Sequence, residues 1–146
     1  MRRDLSRYVI LIIGIAAVAF LSCAASAKPQ KMTDEELLRK RAAEYWNDRV
    51  KGDLHLSYEY EIPSYRKQVG MVDYIKGFGQ VVRWTDAEIK GVDVDGERAR
   101  VDVHVRFKYQ VPKIKTKSKM SEDNLRERWV KLEGKWYHIP SGFVDQ

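Results

Sequence analysis

Between Arg98 and Val111 the chain alternates with a period of two. Val101, Val103, Val105, Phe107 and Tyr109 are interleaved with Asp102, His104, Arg106 and Lys108. Successive side chains of a β-strand point to opposite faces, so this run predicts a strand with one face buried and the other in water. Its apolar face must therefore be covered by another layer. The run Val81 to Val94 leads into Asp95-Gly96, a pair suited to a tight hairpin. Leu125 to Leu132 and Lys135 to Ile139 flank Glu133-Gly134 in the same way, and Pro112 to Asp123 reads as a long polar connection. The second half of the chain thus predicts an antiparallel meander.

The cover lies upstream. Thr33-Asp34-Glu35-Glu36 fits a capping box, in which the threonine oxygen accepts a backbone N–H and Glu36 reaches back to the cap. Leu38, Ala42, Tyr45, Trp46 and Val50 then recur at helical spacing, and Gly52 ends the pattern. Asp53 to Arg66, rich in tyrosine, predicts a short helix or turn and then an extended piece ending near Pro63. Met71 to Gly77 predicts a further short helical stretch. Helices followed by an antiparallel meander make an α+β arrangement. No internal repeat and no second domain are evident.

The first 27 residues are of another kind. Arg2, Arg3 and Arg7 precede an uncharged run from Tyr8 to Ala27, the layout of an export signal. Three fates are open. Leu21-Ser22-Cys23 resembles, imperfectly, the motif after which bacterial lipoproteins are cut, and Cys23 would then carry lipid. Ala25-Ser26-Ala27 offers a cleavage site that releases a protein beginning at Lys28. Left uncut, the run is about long enough to span a bilayer. Cys23 is the one cysteine in the chain, which favours lipid attachment over a disulfide role. The expected organisation is a signal at 1–27, a tether at 28–32 and a single domain at 33–146. The expected location is the periplasmic side of the cell envelope, as an outer-membrane lipoprotein if the organism is Gram-negative. The membrane is then a partner through the lipid or the uncut anchor.

Little in the chain suggests a particular chemistry. A net charge of +6 with many acidic residues suits anionic surfaces better than nucleic acid, and no nucleic-acid partner is expected. There is no cysteine nucleophile beyond residue 23, no G-x-S-x-G elbow and no phosphate-binding glycine loop. His55, His104 and His138 are isolated in sequence, so neither a metal nor a cofactor is expected. Glu127 is the weak candidate for a catalytic carboxylate. If Trp129 faces a cavity, parity puts Glu127 there; if Val130 and Leu132 face inward, Glu127 is on the wet side. Lys113, Lys115, Lys117 and Lys119 occupy alternate positions. They form either a comb for anionic polymer or a charged guard against edge-to-edge pairing.

From about Thr33 to Ile139 the chain resembles the NTF2-like, or SnoaL-like, superfamily. The resemblance is carried by the opening helix with Tyr45-Trp46, the Gly52-Asp53 break, and the aromatic segment through Tyr58, Tyr65 and Arg66. The closing Trp129-Val130-Lys131-Leu132-Glu133-Gly134-Lys135-Trp136-Tyr137 hairpin completes it. It implies an α+β cone, with N-terminal helices packed on a curved antiparallel sheet, often dimeric through the sheet. Tyr65, Trp84, Phe107, Tyr109 and Trp129 would line its cavity. Three functions remain open. The first is a non-catalytic domain that binds a small apolar ligand or an envelope protein. The second is a small lyase or isomerase using Glu127 as base. The third is an adaptor that docks on anionic surfaces through the lysines.

Overall fold

The computed structural model of the chain describes residues 31–78, 82–109 and 118–144. Helix α1 spans Asp34–Lys51. The Thr33 hydroxyl accepts the Glu36 N–H at 3.2 Å, and the Glu36 carboxylate accepts the Thr33 N–H at 2.7 Å. Two orphan donors of the first turn are thereby satisfied. The helix ends at Gly52, whose φ of +85° is left-handed and costs a glycine nothing. Short helices follow: α2 (Leu54–Tyr58), α3 (Pro63–Gln68) and α4 (Met71–Gly77). Pro63 begins α3 rather than ending an extended piece. A proline at the first helical position has its φ already set and gives up an N–H that needs no partner there.

Four strands complete the unit: β1 (Val82–Asp95), β2 (Arg98–Tyr109), β3 (Lys119–Leu132) and β4 (Lys135–Ile139). They form one antiparallel sheet in the order β1-β2-β3-β4. The inner face carries Ala99, Val101, Val103 and Val105 of β2, with Trp129 of β3 and Trp136 of β4. Leu38, Ala42, Tyr45 and Trp46 of α1 pack against them. A second cluster lies on the opposite face near the β3–β4 hairpin, where Val130 and Ile139 meet Ile62. At this corner both faces of β3 are buried.

Strand β3 begins at Lys119, inside the stretch that reads as a polar connection. Its first residues pair with β2 as Glu122 to Arg106, Asp123 to Val105 and Asn124 to His104. At this end polar side chains occupy both faces of β3, so the sequence carries no alternation there.

The expected NTF2-like cone is corrected. The architecture is a four-stranded antiparallel sheet with a few helices. Tyr45-Trp46, the Gly52-Asp53 break and the Gly134-Trp136 turn are real features. They serve any helix laid across an antiparallel meander, and so they do not specify a cone.

Candidate functional site

Strand β4 would have a free edge but for the segment that links α2 to α3. The His138 N–H donates to the Tyr60 carbonyl at 2.8 Å, and the Ile62 N–H donates to the His138 carbonyl at 2.9 Å. This short parallel bridge sets Glu61 beside His138. The Glu61 side chain is 1% exposed, so its charge needs partners. It has three. His138 Nδ1 lies 2.7 Å from Oε2, and the hydroxyls of Tyr45 and Tyr74 each donate to Oε1 at 3.1 Å. A carboxylate accepts only, so Nδ1 carries a proton toward Glu61.

On the far side of the imidazole, Nε2 lies 3.6 Å from Glu127 Oε1. That is too long for a hydrogen bond. The other oxygen, Oε2, accepts the indole N–H groups of Trp46 at 3.1 Å and Trp129 at 3.4 Å. The ring of Tyr45 packs on His138 with centroids 4.8 Å apart. Arg49 donates to the Tyr45 hydroxyl at 2.8 Å, and its guanidinium lies over the rings of Trp46 and Phe78 at 4.5 and 4.7 Å. The Nε of Arg49 has no hydrogen-bond partner among the described residues.

Glu61, His138, Glu127 and Tyr45 form the floor of a pocket of about 600 Å³, walled by Tyr65, Tyr74, Phe78 and Arg49 and rimmed by residues 139–142. Burial pushes the Tyr45 hydroxyl's pKa well above its ordinary value, more than the nearby Arg49 charge lowers it; Glu61, Tyr74 and Glu127 raise it further. Burial, then Glu61, raises Tyr74 likewise. Burial works against the Arg49 charge. Tyr45, Tyr74, Glu127 and Glu61 more than offset it, and the Arg49 pKa lies above the ordinary value.

The residues singled out in the sequence distribute as follows. Glu127 lies on the inner face, paired with Val101 and on the same side as Trp129, and it borders the pocket. Tyr65 lines the pocket, but Trp84 and Phe107 do not. Those two pack edge to face, with centroids 5.4 Å apart, against the α1 core. Trp129 is buried in that core and reaches the site through its indole N–H. Tyr109 sits at the end of β2, 6.3 Å from the Phe107 ring. Tyr58 turns its hydroxyl to the carbonyls of Arg66 and Val69 and so ties α2 to α3. His104 is on the outer face, 3.0 Å from Asn124. Lys119 is exposed at the start of β3, whereas Lys113, Lys115 and Lys117 lie outside the described residues. So do Cys23 and the whole leader. Among the described residues, no group of three His, Cys, Asp or Glu is placed to hold a metal ion, and no helix is long and apolar enough to cross a membrane.

Sequence reasoning missed Glu61 and treated His138 as isolated. A signal was available for His138: it alternates with Trp136 on a five-residue strand, and Trp136 is an obvious core residue. Glu61 gave none, because its partner lies 77 residues away.

No protein-family model matches the chain, and no curated protein matches it. Solved structures do. One is a SEC-C motif containing protein from Rhodopseudomonas palustris, determined in solution. It is 21% identical, with a TM-score of 0.53, over 77% of this chain and 80% of that one. Another is a SEC-C motif containing protein from Psychrobacter arcticus, 13% identical with a TM-score of 0.47, over 78% of this chain and 62% of that one. The Rhodopseudomonas palustris structure overturns the NTF2-like (SnoaL-like) resemblance, and nothing in the comparisons indicates a lipoprotein-type signal peptide. At such identity the likeness shows the fold alone, a helix-covered four-stranded antiparallel sheet shared with the Rhodopseudomonas palustris SEC-C motif containing protein.

Proposed function

We propose that this chain is a small-molecule-binding domain of the cell envelope, and that its ligand rests on the floor made by Glu61, His138 and Glu127. The observation that carries the reading is the pocket itself. Its volume of about 600 Å³ falls in the usual range for small-molecule sites, and it combines aromatic walls with a few convergent polar groups. The basic head and apolar run of residues 1–27 support the location. Native mass spectrometry of the full chain, purified from its own cells, tests the function. A small molecule should co-purify with the protein and be lost when Tyr74 is replaced by Ala. A protein that carries no such molecule would remove the reading.

A second reading, acid/base chemistry, is favoured by one geometric fact. His138 is oriented by Glu61 at 2.7 Å, and its other nitrogen faces Glu127 across 3.6 Å at the pocket floor. A base held by a third group is the arrangement that proton abstraction needs. The full chain would then accelerate deuterium exchange beside the carbonyl of 4-phenyl-2-butanone in heavy water. His138→Gln would abolish that acceleration. Exchange at the buffer rate would leave binding as the sole activity.

A further inference from the structure

We infer that the pocket takes a neutral carbonyl compound with an apolar or aromatic body, its oxygen accepting a hydrogen bond from the Arg49 guanidinium. The inference rests on the small-molecule reading above and adds the chemical class of the ligand to it.

Arg49 supplies the first reason. A guanidinium carries five N–H donors and no acceptor. Nη1 donates to the Tyr45 hydroxyl at 2.8 Å, whereas Nε is buried and has no hydrogen-bond partner among the described residues. A buried donor without an acceptor is costly, and each such group in a folded protein calls for an explanation. Arg66 Nε and Trp136 Nε1 are buried without a partner too, but neither residue belongs to this pocket. The rings of Tyr45, Trp46, Phe78 and Trp84 surround the guanidinium carbon, with centroids between 4.5 and 5.4 Å away. Ring faces favour the charge, but as acceptors they are weak and do not replace an oxygen.

Access is the second reason. Arg49 forms part of the pocket wall. Of the rings around it, Tyr45 and Trp46 are buried, and Trp84 does not line the pocket. Phe78 is half-buried, stands in the wall and caps the end of α4. A turn of that one ring is the movement that admits an oxygen to Nε. Tyr65 and Tyr74 supply apolar wall for the rest of the ligand.

Charge is the third reason. The buried carboxylates Glu61 and Glu127 stand against Arg49 and, when it is protonated, His138. The buried charge is then balanced; with His138 neutral it is negative. In either state an anionic ligand adds a buried charge without a counter-ion. An ammonium ion brings donors only and leaves Arg49 unmet. A carbonyl oxygen accepts without adding charge.

The test uses three probes with one phenylethyl body: 4-phenyl-2-butanone, 4-phenyl-2-butanamine and 3-phenylpropionate. They present a neutral acceptor, a cationic donor and an anionic acceptor. Each is titrated into the full chain by calorimetry at pH 7. The ketone should bind about tenfold more tightly than the amine, and the propionate should bind less tightly than the ketone. In Arg49→Met the ketone should lose its advantage over the amine. Should that variant fail to fold, the wild-type chain with heavy nitrogen in its arginines reads the contact by NMR, where the Arg49 Nε–H signal should move downfield as the ketone binds. An amine or propionate that binds as well as the ketone overturns the carbonyl assignment and leaves the pocket reading standing. So does a bound ketone that leaves the Arg49 signal in place. If none of the three binds, the assignment falls, and the pocket reading falls with it only if no small molecule co-purifies with the chain.

Discussion

Replacing Glu61 by Ala tests the floor of the pocket directly. The side chain is 1% exposed and accepts three hydrogen bonds, from His138 Nδ1 at 2.7 Å and from Tyr45 and Tyr74 at 3.1 Å each. Two of the donors have fallbacks. Tyr74 lies 3.1 Å from the Ser57 hydroxyl, and Tyr45 lies 3.3 Å from Nδ1, which can accept once the imidazole proton moves to Nε2. The loss is therefore less than three full desolvation penalties of about 1–3 kcal/mol each. What remains is one charge-assisted bond, the cavity left by the side chain, and one fewer carboxylate beside the buried Arg49. The lost charge-assisted bond costs about 1–3 kcal/mol and the cavity adds to it, so this variant should lose about 3 kcal/mol. Against a typical total of about 5–15 kcal/mol that is a large fraction. Urea unfolding, followed by the fluorescence of the buried Trp46, Trp129 and Trp136, reads the change. Glu88→Ala is the control; that side chain is 63% exposed and pairs with Lys90 at the surface. A loss for Glu61→Ala no greater than that of the control would mean that the network does not hold the floor together.

Other outcomes follow from the same structure. Thr33→Ala should cost about 1 kcal/mol in the same urea assay, because the Glu36 N–H loses its cap; Thr33→Ser should recover most of it. Tyr45 has a pKa raised above its ordinary value in the folded chain. Its contribution to stability is therefore complete below the unfolded value of about 10 and declines as pH rises beyond it. Urea midpoints measured from pH 8 to 11 should fall more steeply for the wild-type chain than for Tyr45→Phe, and equal slopes would contradict the assignment. Tyr74→Phe should cost about 1 kcal/mol at pH 7, because Glu61 keeps its bonds to Tyr45 and His138.

Much of the fold was legible because it is locally coded. The Thr33 capping box, the apolar face from Leu38 to Trp46 and the alternation of Val101, Val103 and Val105 each specify an element without reference to the rest of the chain. Both hairpin turns carry glycines with positive φ, Gly96 at 59° and Gly134 at 80°. What failed was the step from elements to a family. A helix across a meander is common to several folds, and the marks that suggested an NTF2-like cone were local. The early part of β3 escaped notice because Ser121 to Asn124 offers no alternation. The site was half legible. Parity tied Glu127 to Trp129 but did not choose the face, because at the β3–β4 corner Val130 is buried as well. Glu61 could not be found by pattern at all; a chain reversal through α2 and α3 brings it to His138. The aromatic residues chosen as cavity lining divided for a related reason. Burial, which patterning reveals, is shared by core and pocket, so Trp84 and Phe107 went to the core and only Tyr65 to the pocket.

The most direct measurement is a residue-resolved NMR titration of the full chain, labelled in its tyrosine and histidine side chains, with 4-phenyl-2-butanone. Signals of Tyr65, Tyr74 and His138 should shift together and saturate, while Tyr109, outside the pocket, stays in place. Saturable shifts confined to residues away from the floor, or no shifts at Tyr74 and His138, would contradict the account.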